Sequence, residues 1–192
     1  MMLLPFDTET TGLPDWKAPS DDPQQPHIVQ LAALLVDDQN REIMESMDVI
    51  VRPDGWVISP EMTKIHGISQ EKAMDAGIKE SDAVEQFMAM YEACDLRIAH
   101  NTTFDNRIIR IALKRHFPDL VSDKWKDPKL YFCTWMACRT LLRGSSGHTL
   151  AECCQILLGR DITQEAHSAM PDTLNTLDLY YDLLKRESNN VN

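Results

Sequence analysis

Phe6-Asp7-Thr8-Glu9-Thr10-Thr11-Gly12-Leu13 follows directly on an apolar run, Met1-Met2-Leu3-Leu4, that has the character of a short buried strand. In an extended chain residues i and i+2 point to the same face, so Asp7 and Glu9 project together. Two carboxylates held side by side repel one another unless a cation lies between them. Mg²⁺ or Mn²⁺, hard cations that take oxygen ligands, are the natural occupants. Gly12 then permits a sharp turn out of the strand.

Outward from this strand, residues 13–26 hold four prolines and three aspartates and read as a long surface loop. Loops of that length inside a compact domain are often functional, and this one leaves the acidic strand directly, as a rim or lid would. Residues 28–36 form a strongly apolar strand, Asp37-Asp38-Gln39-Asn40 supplies turn chemistry, and 43–52 form a third strand. Three strands in succession without a helix make an antiparallel meander. Short helical pieces surround Ile65-His66-Gly67-Ile68. Ser81 is placed as the N-cap of a helix carrying Val84, Phe87, Met88 and Tyr91 on one face. A short strand at 96–100 leads into a helix over 104–117, and 130–133 supply a last strand. Helices over 149–158, stopped by Gly159, and over 171–186 complete the chain. Strands first and strand–helix alternation later define an α/β fold with a mixed sheet. The expected organisation is one domain over 1–187 and a frayed tail over 188–192.

A chain of 192 residues with 43% hydrophobic and 26% charged side chains has the composition of a soluble globular domain. No apolar run approaches the ~20 residues that span a bilayer, and the N-terminus lacks the basic flank and cleavage site of a signal peptide. These features predict a cytoplasmic protein with no membrane partner. The five cysteines lack Cys-x-x-Cys spacing and indicate neither a zinc site nor a disulfide framework. A net charge of -11 opposes phosphate binding. Its distribution is uneven: residues 107–143 carry nine basic against three acidic side chains. A short strand of nucleic acid at one edge is compatible with that pattern; wrapping of duplex is not. Lys124-Trp125-Lys126, an aromatic between two cations, has the composition of a stacking platform for single strands.

Three further stretches belong with the first. His100-Asn101-Thr102-Thr103-Phe104-Asp105 puts Asp105 at a helix start just after a strand. Ile65-His66-Gly67-Ile68 lies between. His167-Ser168-Ala169-Met170-Pro171-Asp172 puts His167 before the last helix and Asp172 on its first turn. Together these motifs resemble the DEDDh family of 3′→5′ exonucleases, which includes ribonuclease T and the proofreading subunit of bacterial DNA polymerase III. The resemblance covers nearly the whole chain in the right order. It implies an RNase H-like mixed sheet, an antiparallel three-strand meander plus parallel strands, flanked by helices.

It also implies a site. Asp7, Glu9, Asp105 and Asp172 would hold two divalent metal ions, Mg²⁺ or Mn²⁺, about 4 Å apart for an in-line displacement at phosphorus. His167 would act as general base, a role suited to a side chain that titrates near neutral pH. By the same similarity Thr10 would bond the 3′ end, Leu13 would wedge against its base, and His66, Asn101 and Phe104 would line the pocket. The sequence departs from the family at Gln30, where relatives often carry an acid, near Cys133-Thr134, where many have an Asp-Thr pair, and at Pro171, next to the fourth acid. The implied reaction releases nucleoside 5′-monophosphates from the 3′ end of single-stranded DNA, with DNA favoured over RNA and a polymerase or replication protein as a candidate partner. The alternatives are an exoribonuclease of the ribonuclease T or oligoribonuclease kind, and a non-catalytic module that binds nucleic acid or docks on a polymerase. Oligomeric state is left open.

Overall fold

The structure, a computed structural model, describes residues 1–120, 127–143, 147–163 and 167–190. The Lys124-Trp125-Lys126 stretch lies outside the described residues. Strand β1 (Met2–Thr10) pairs antiparallel with β2 (Ile28–Asp37), which pairs antiparallel with β3 (Glu42–Ile50). On the other side of β1, β4 (Leu96–Ala99) and β5 (Tyr131–Cys133) continue the sheet in parallel. The resulting order, β3-β2-β1-β4-β5, is the RNase H-like mixed sheet expected from the meander and the later strand–helix alternation.

The period of two along β1 decides what lies on each face. Leu4 and Phe6 point to one face, where they pack with Phe87 of α3 (Glu80–Ala93) and Ile108 and Ile111 of α4 (Thr102–His116). The Phe6 and Phe87 rings lie 5.1 Å apart and are both fully buried, each side chain contributing roughly 1.5–3 kcal/mol by leaving water. Leu3 points to the other face, where Leu34, Ile98 and Leu177 and Tyr180 of α7 (Ala169–Asn190) close a second core. Strand β2 lies between neighbours and under both layers, which is why its sequence is a continuous apolar run rather than an alternating one. Two short helices, α1 (Pro60–His66) and α2 (Gln70–Ala76), follow β3. Helix α5 (Thr134–Leu141) follows β5, and α6 (Leu150–Cys153) runs into a π-helical turn, Cys154–Leu158, capped by Gly159 at φ +67°.

Three local expectations are corrected. Ser81 is not an N-cap: α3 begins at Glu80 with Lys79 in the cap position, and the Ser81 hydroxyl donates to Asp82. Helix α7 begins two residues before Pro171, which therefore sits in the first turn where a missing N–H costs nothing. The same helix runs on to Asn190, so residues 188–190 are helical rather than frayed.

The proline-rich loop over 13–26 is fastened at several points. The carboxamide of Gln25, 2% exposed, accepts from Asp15 N–H (3.1 Å) and donates to the carbonyls of Asp15 (2.9 Å) and Pro19 (3.0 Å). Arg107 of α4 donates to the carbonyl of Ala18 (2.6 Å) and the hydroxyl of Ser20 (2.8 Å), which also accepts from Arg110. At the loop's end Arg115 donates to the carbonyls of Gln25 and Pro26 and to Glu80. These contacts make the loop a fixed rim. They also revise the picture of a basic segment poised for phosphate, because three of its arginines are turned inward onto the loop.

Candidate active site

The end of β1 carries the site, and strand alternation divides it between two faces. Asp7 and Glu9 share the parity of Leu3 and face α7. Thr8 shares the parity of Phe6 and faces α4. Asp105, on the first turn of α4 and 2% exposed, accepts from both the hydroxyl (2.8 Å) and the N–H (3.2 Å) of Thr8. Asp172 enters from α7, its Oδ2 accepting from the N–H of His167 at 3.1 Å. The four acids thus converge from β1, α4 and α7 around one strand end. Ligand atoms of Glu9, His167 and Asp172 lie within 4.8 Å of one another.

Burial and mutual repulsion set the electrostatics. Asp7 is held well above the ordinary carboxylate range by burial and by Asp105, Glu9 and Asp172. Glu9 is pushed to about 8 by burial, then by Asp172 and Asp105. Asp105 is raised to about 7 by burial, against the bonds from Thr8. Asp172 is raised by burial as well. Its Oδ1 is buried and has no hydrogen-bond partner among the described residues, a costly state for a carboxylate oxygen. Oxygen donors that crowd one another and leave one lone pair unanswered fit a hard divalent cation.

Two backbone positions show how tightly the constellation is placed. Asn101, just before α4, is left-handed at φ +71°, and His167 is left-handed at φ +65°. Such residues cluster at functional sites and persist because the surroundings over-determine them. At His167 the twist turns the peptide N–H onto Asp172. The start of α7 is fixed to the sheet by Gln30, which pairs with Glu9 across β1 and β2 and faces α7. Its Oε1 accepts from Ala169 N–H (3.2 Å), and its Nε2 donates to Asp48 (2.7 Å). A glutamate here could not make the second bond.

Beside the acids lies a cavity of about 360 Å³ lined by Thr8, Glu9, Thr10, Gly12, Leu13, Met62, Ile65, His66 and Phe104. Leu13, 83% exposed, is not a core residue. Thr10 donates to the carbonyl of Gly12 (2.8 Å) at the turn out of β1. His66 is buried; its Nδ1 accepts from Ile68 N–H (3.2 Å), which places the proton on Nε2, and that nitrogen has no partner among the described residues. Burial and His167 lower the His66 pKa, so it stays a neutral donor. Its position depends on Gly67, whose φ of +72° closes α1. Asn101 is exposed and is not among the cavity-lining residues. Sequence reasoning missed Thr8, Met62 and Ile65. Nothing in the chemistry of a threonine between two acids, or of apolar residues in a seven-residue helix, marks them as site residues.

A mixed sheet that brings four acids and a histidine to the end of its first strand is the arrangement of a nuclease of the RNase H-like class. The exonuclease family model typified by ribonuclease T matches residues 4–180, and the chain belongs to this DEDDh family of 3′→5′ exonucleases. Ribonuclease T of Actinobacillus pleuropneumoniae is 27% identical over 194 residues, covering 94% of this chain and 82% of that protein. Exodeoxyribonuclease 10 of Escherichia coli is 32% identical over 108 residues, covering 56% and 40%. The zinc-bound complex of E. coli exonuclease I with single-stranded DNA superposes with a TM-score of 0.73 at 22% identity, over 96% of this chain. This chain spans 40% of that one. Among the described residues no helix is long and apolar enough to cross a membrane.

Proposed function

We propose that this exonuclease removes nucleoside 5′-monophosphates from the 3′ end of single-stranded DNA, with His167 as general base. The observation that carries the reading is the convergence of Asp7, Glu9, Asp105 and Asp172 beside a cavity sized for one nucleotide and walled by Leu13, Ile65 and Phe104. The four acids would hold two divalent cations, Mg²⁺ or Mn²⁺, which when bound supply Lewis acidity toward water and the phosphate oxygens. His167 stands beside Glu9 and Asp172 at the open edge of this group, where it can take a proton from the attacking water. The terminal base packs between Leu13 and Phe104; the Nε2–H of His66 is the donor available to the 3′ terminus, and the hydroxyl oxygen of Thr10, whose proton goes to Gly12, can accept from it. Asn101 contributes by setting the start of α4 rather than by lining the pocket.

RNA is the second substrate to weigh, because the relative matched over most of its length is named ribonuclease T. Matched 5′-labelled DNA and RNA oligonucleotides, incubated with Mg²⁺ or Mn²⁺, decide between them. The expected result is a ladder shortening from the 3′ end, faster on DNA, and abolished by EDTA and by His167→Asn. Faster loss of RNA reverses the preference. Absence of cleavage on either, with metal binding intact, leaves a module that binds without turnover.

A further inference from the structure

The rim loop carries one aromatic side chain, Trp16, and its fastenings leave that ring outside. Asp15 Oδ1 accepts from Lys17 N–H (2.8 Å) and Ala18 N–H (3.4 Å), closing a turn around Trp16. The backbone on either side is held from beneath: Asp15 by Gln25, and Ala18 by Arg107. Arg107 belongs to the helix that also supplies Phe104 to the cavity wall and Asp105 to the acids. The turn is therefore fixed relative to the site. Trp16 itself is 56% exposed, and among the described residues its indole makes no hydrogen bond, ring contact or cation contact. The other two described tryptophans are engaged: Trp56 stacks on His27 at 4.7 Å, and Trp135 lies under Arg139.

Trp16 is three residues from Leu13, so their Cα atoms are within about 10 Å of each other. Stacked nucleotides advance about 3.4 Å each along a strand. A strand whose terminal base occupies the Leu13–Phe104 cavity brings a base one to three positions upstream within reach of the indole. We propose that Trp16 is a second, stacking subsite that takes an upstream nucleobase of an unpaired strand. The proposal rests on the exonuclease reading given above. Because the loop carries Asp15, Asp21 and Asp22 against Lys17, its contribution comes from the face of the base and not from phosphate charge. A base in a duplex keeps both faces covered by its neighbours and cannot turn onto the indole, so the subsite favours single strands.

The test compares wild type, Trp16→Ala and Trp16→Phe on a labelled 12-nucleotide single strand and on the same 3′ end in a blunt hairpin. Kd is measured by anisotropy with Ca²⁺, and KM and kcat with Mg²⁺. For Trp16→Ala, Kd and KM on the single strand rise about tenfold, in the range of one base–aromatic stack. The kcat value, the salt dependence of Kd, the Tm and the hairpin parameters stay at wild-type values, and Trp16→Phe recovers most of the loss. A Kd and KM within twofold of wild type overturn the subsite while leaving the exonuclease reading intact. A fall in Tm of more than a few degrees also overturns it, since the indole would then be a packing residue. If wild type itself neither binds nor degrades the strand, the exonuclease reading fails and the subsite with it.

Discussion

Two groups of carboxylates lie at opposite ends of α4, and they are built in opposite ways. Glu80, at the start of α3, accepts from Ile28 N–H (2.9 Å), Arg115 (2.9 Å), His116 (2.8 Å) and His27 (3.1 Å). Burial opposes its charge, but the bonds from His116 and His27 and the charge of Arg115 prevail and hold it far below the ordinary glutamate range. At the end of β1 burial is joined by further negative charge, and Asp7, Glu9 and Asp105 are all driven upward. The first group is complete within the protein. In the second, His167 beside Asp172 is the counter-group among the described residues. Burial of acid is therefore no signature of function by itself; what distinguishes the site is that, among the described residues, no arginine or lysine answers its acids.

The contrast gives its largest expected effects in paired substitutions. Replacing Asp7 by Asn removes a proposed metal ligand and with it several kcal/mol of transition-state stabilisation, so kcat/KM is expected to fall by about 10³-fold or more. It also relieves repulsion, so the Tm measured in EDTA rises. Replacing Glu80 by Gln has the opposite sign on stability. It strands Arg115 over a weaker acceptor at a cost of about 3–5 kcal/mol, lowering Tm by roughly 10 °C, while the site chemistry is untouched. Thermal melts and initial rates on both variants check the pair. A fall in EDTA Tm for Asp7→Asn would show that the acids are not in conflict.

Proton linkage separates the two groups next. The site acids have folded pKa values above their unfolded ones, so their contribution is fully present below the usual carboxylate range and is lost as pH rises through about 7 and about 8. Glu80 has a depressed folded pKa, so its contribution is present above the usual range and is lost as pH falls below it. Metal-free protein should thus be stabilised by Mg²⁺ or Mn²⁺ little at pH 5 and strongly at pH 8.5. At about 100 times Kd the gain approaches 2.7 kcal/mol, about 5–10 °C in Tm. Melts with and without EDTA at both pH values measure it, and an equal gain at each would refute the linkage.

The smallest effect belongs to Gln30. Gln30→Ala removes the acceptor for Ala169 N–H, costing about 1 kcal/mol and a few degrees in Tm. It also loosens the start of α7, so kcat drops severalfold through His167 and Asp172. Gln30→Leu behaves alike, whereas a loss of stability with unchanged kcat would show that α7 is located without it.

The strand pattern and the pairing of Asp7 with Glu9 are legible from period-two alternation alone, whereas Asp105, Asp172 and His167 stand out only through the resemblance to the DEDDh family, since each by itself reads as a helix-start acid or a loop histidine. What escaped was decided by tertiary contacts. Ser81 reads as a cap by its chemistry, yet the helix starts earlier because Glu80 is drawn into a cluster with residues from 27, 115 and 116. Arg107, Arg110 and Arg115 read as phosphate-binding charge, and nothing in their spacing foretells that loop carbonyls and Glu80 claim them. Thr8 could have been found by asking which face the residue between two inward acids must take.

The left-handed backbone at His167 limits what can stand there. Alanine disfavours that conformation by roughly 1–2 kcal/mol, whereas asparagine and glycine visit it readily. An alanine at this position would relax the turn and release the N–H that holds Asp172 Oδ2. It would remove the proposed base and displace a proposed metal ligand in a single stroke. Asparagine keeps the peptide where it is and removes only the imidazole. The chain thus encodes two separable instructions in one residue, one written in the side chain and one in the main chain.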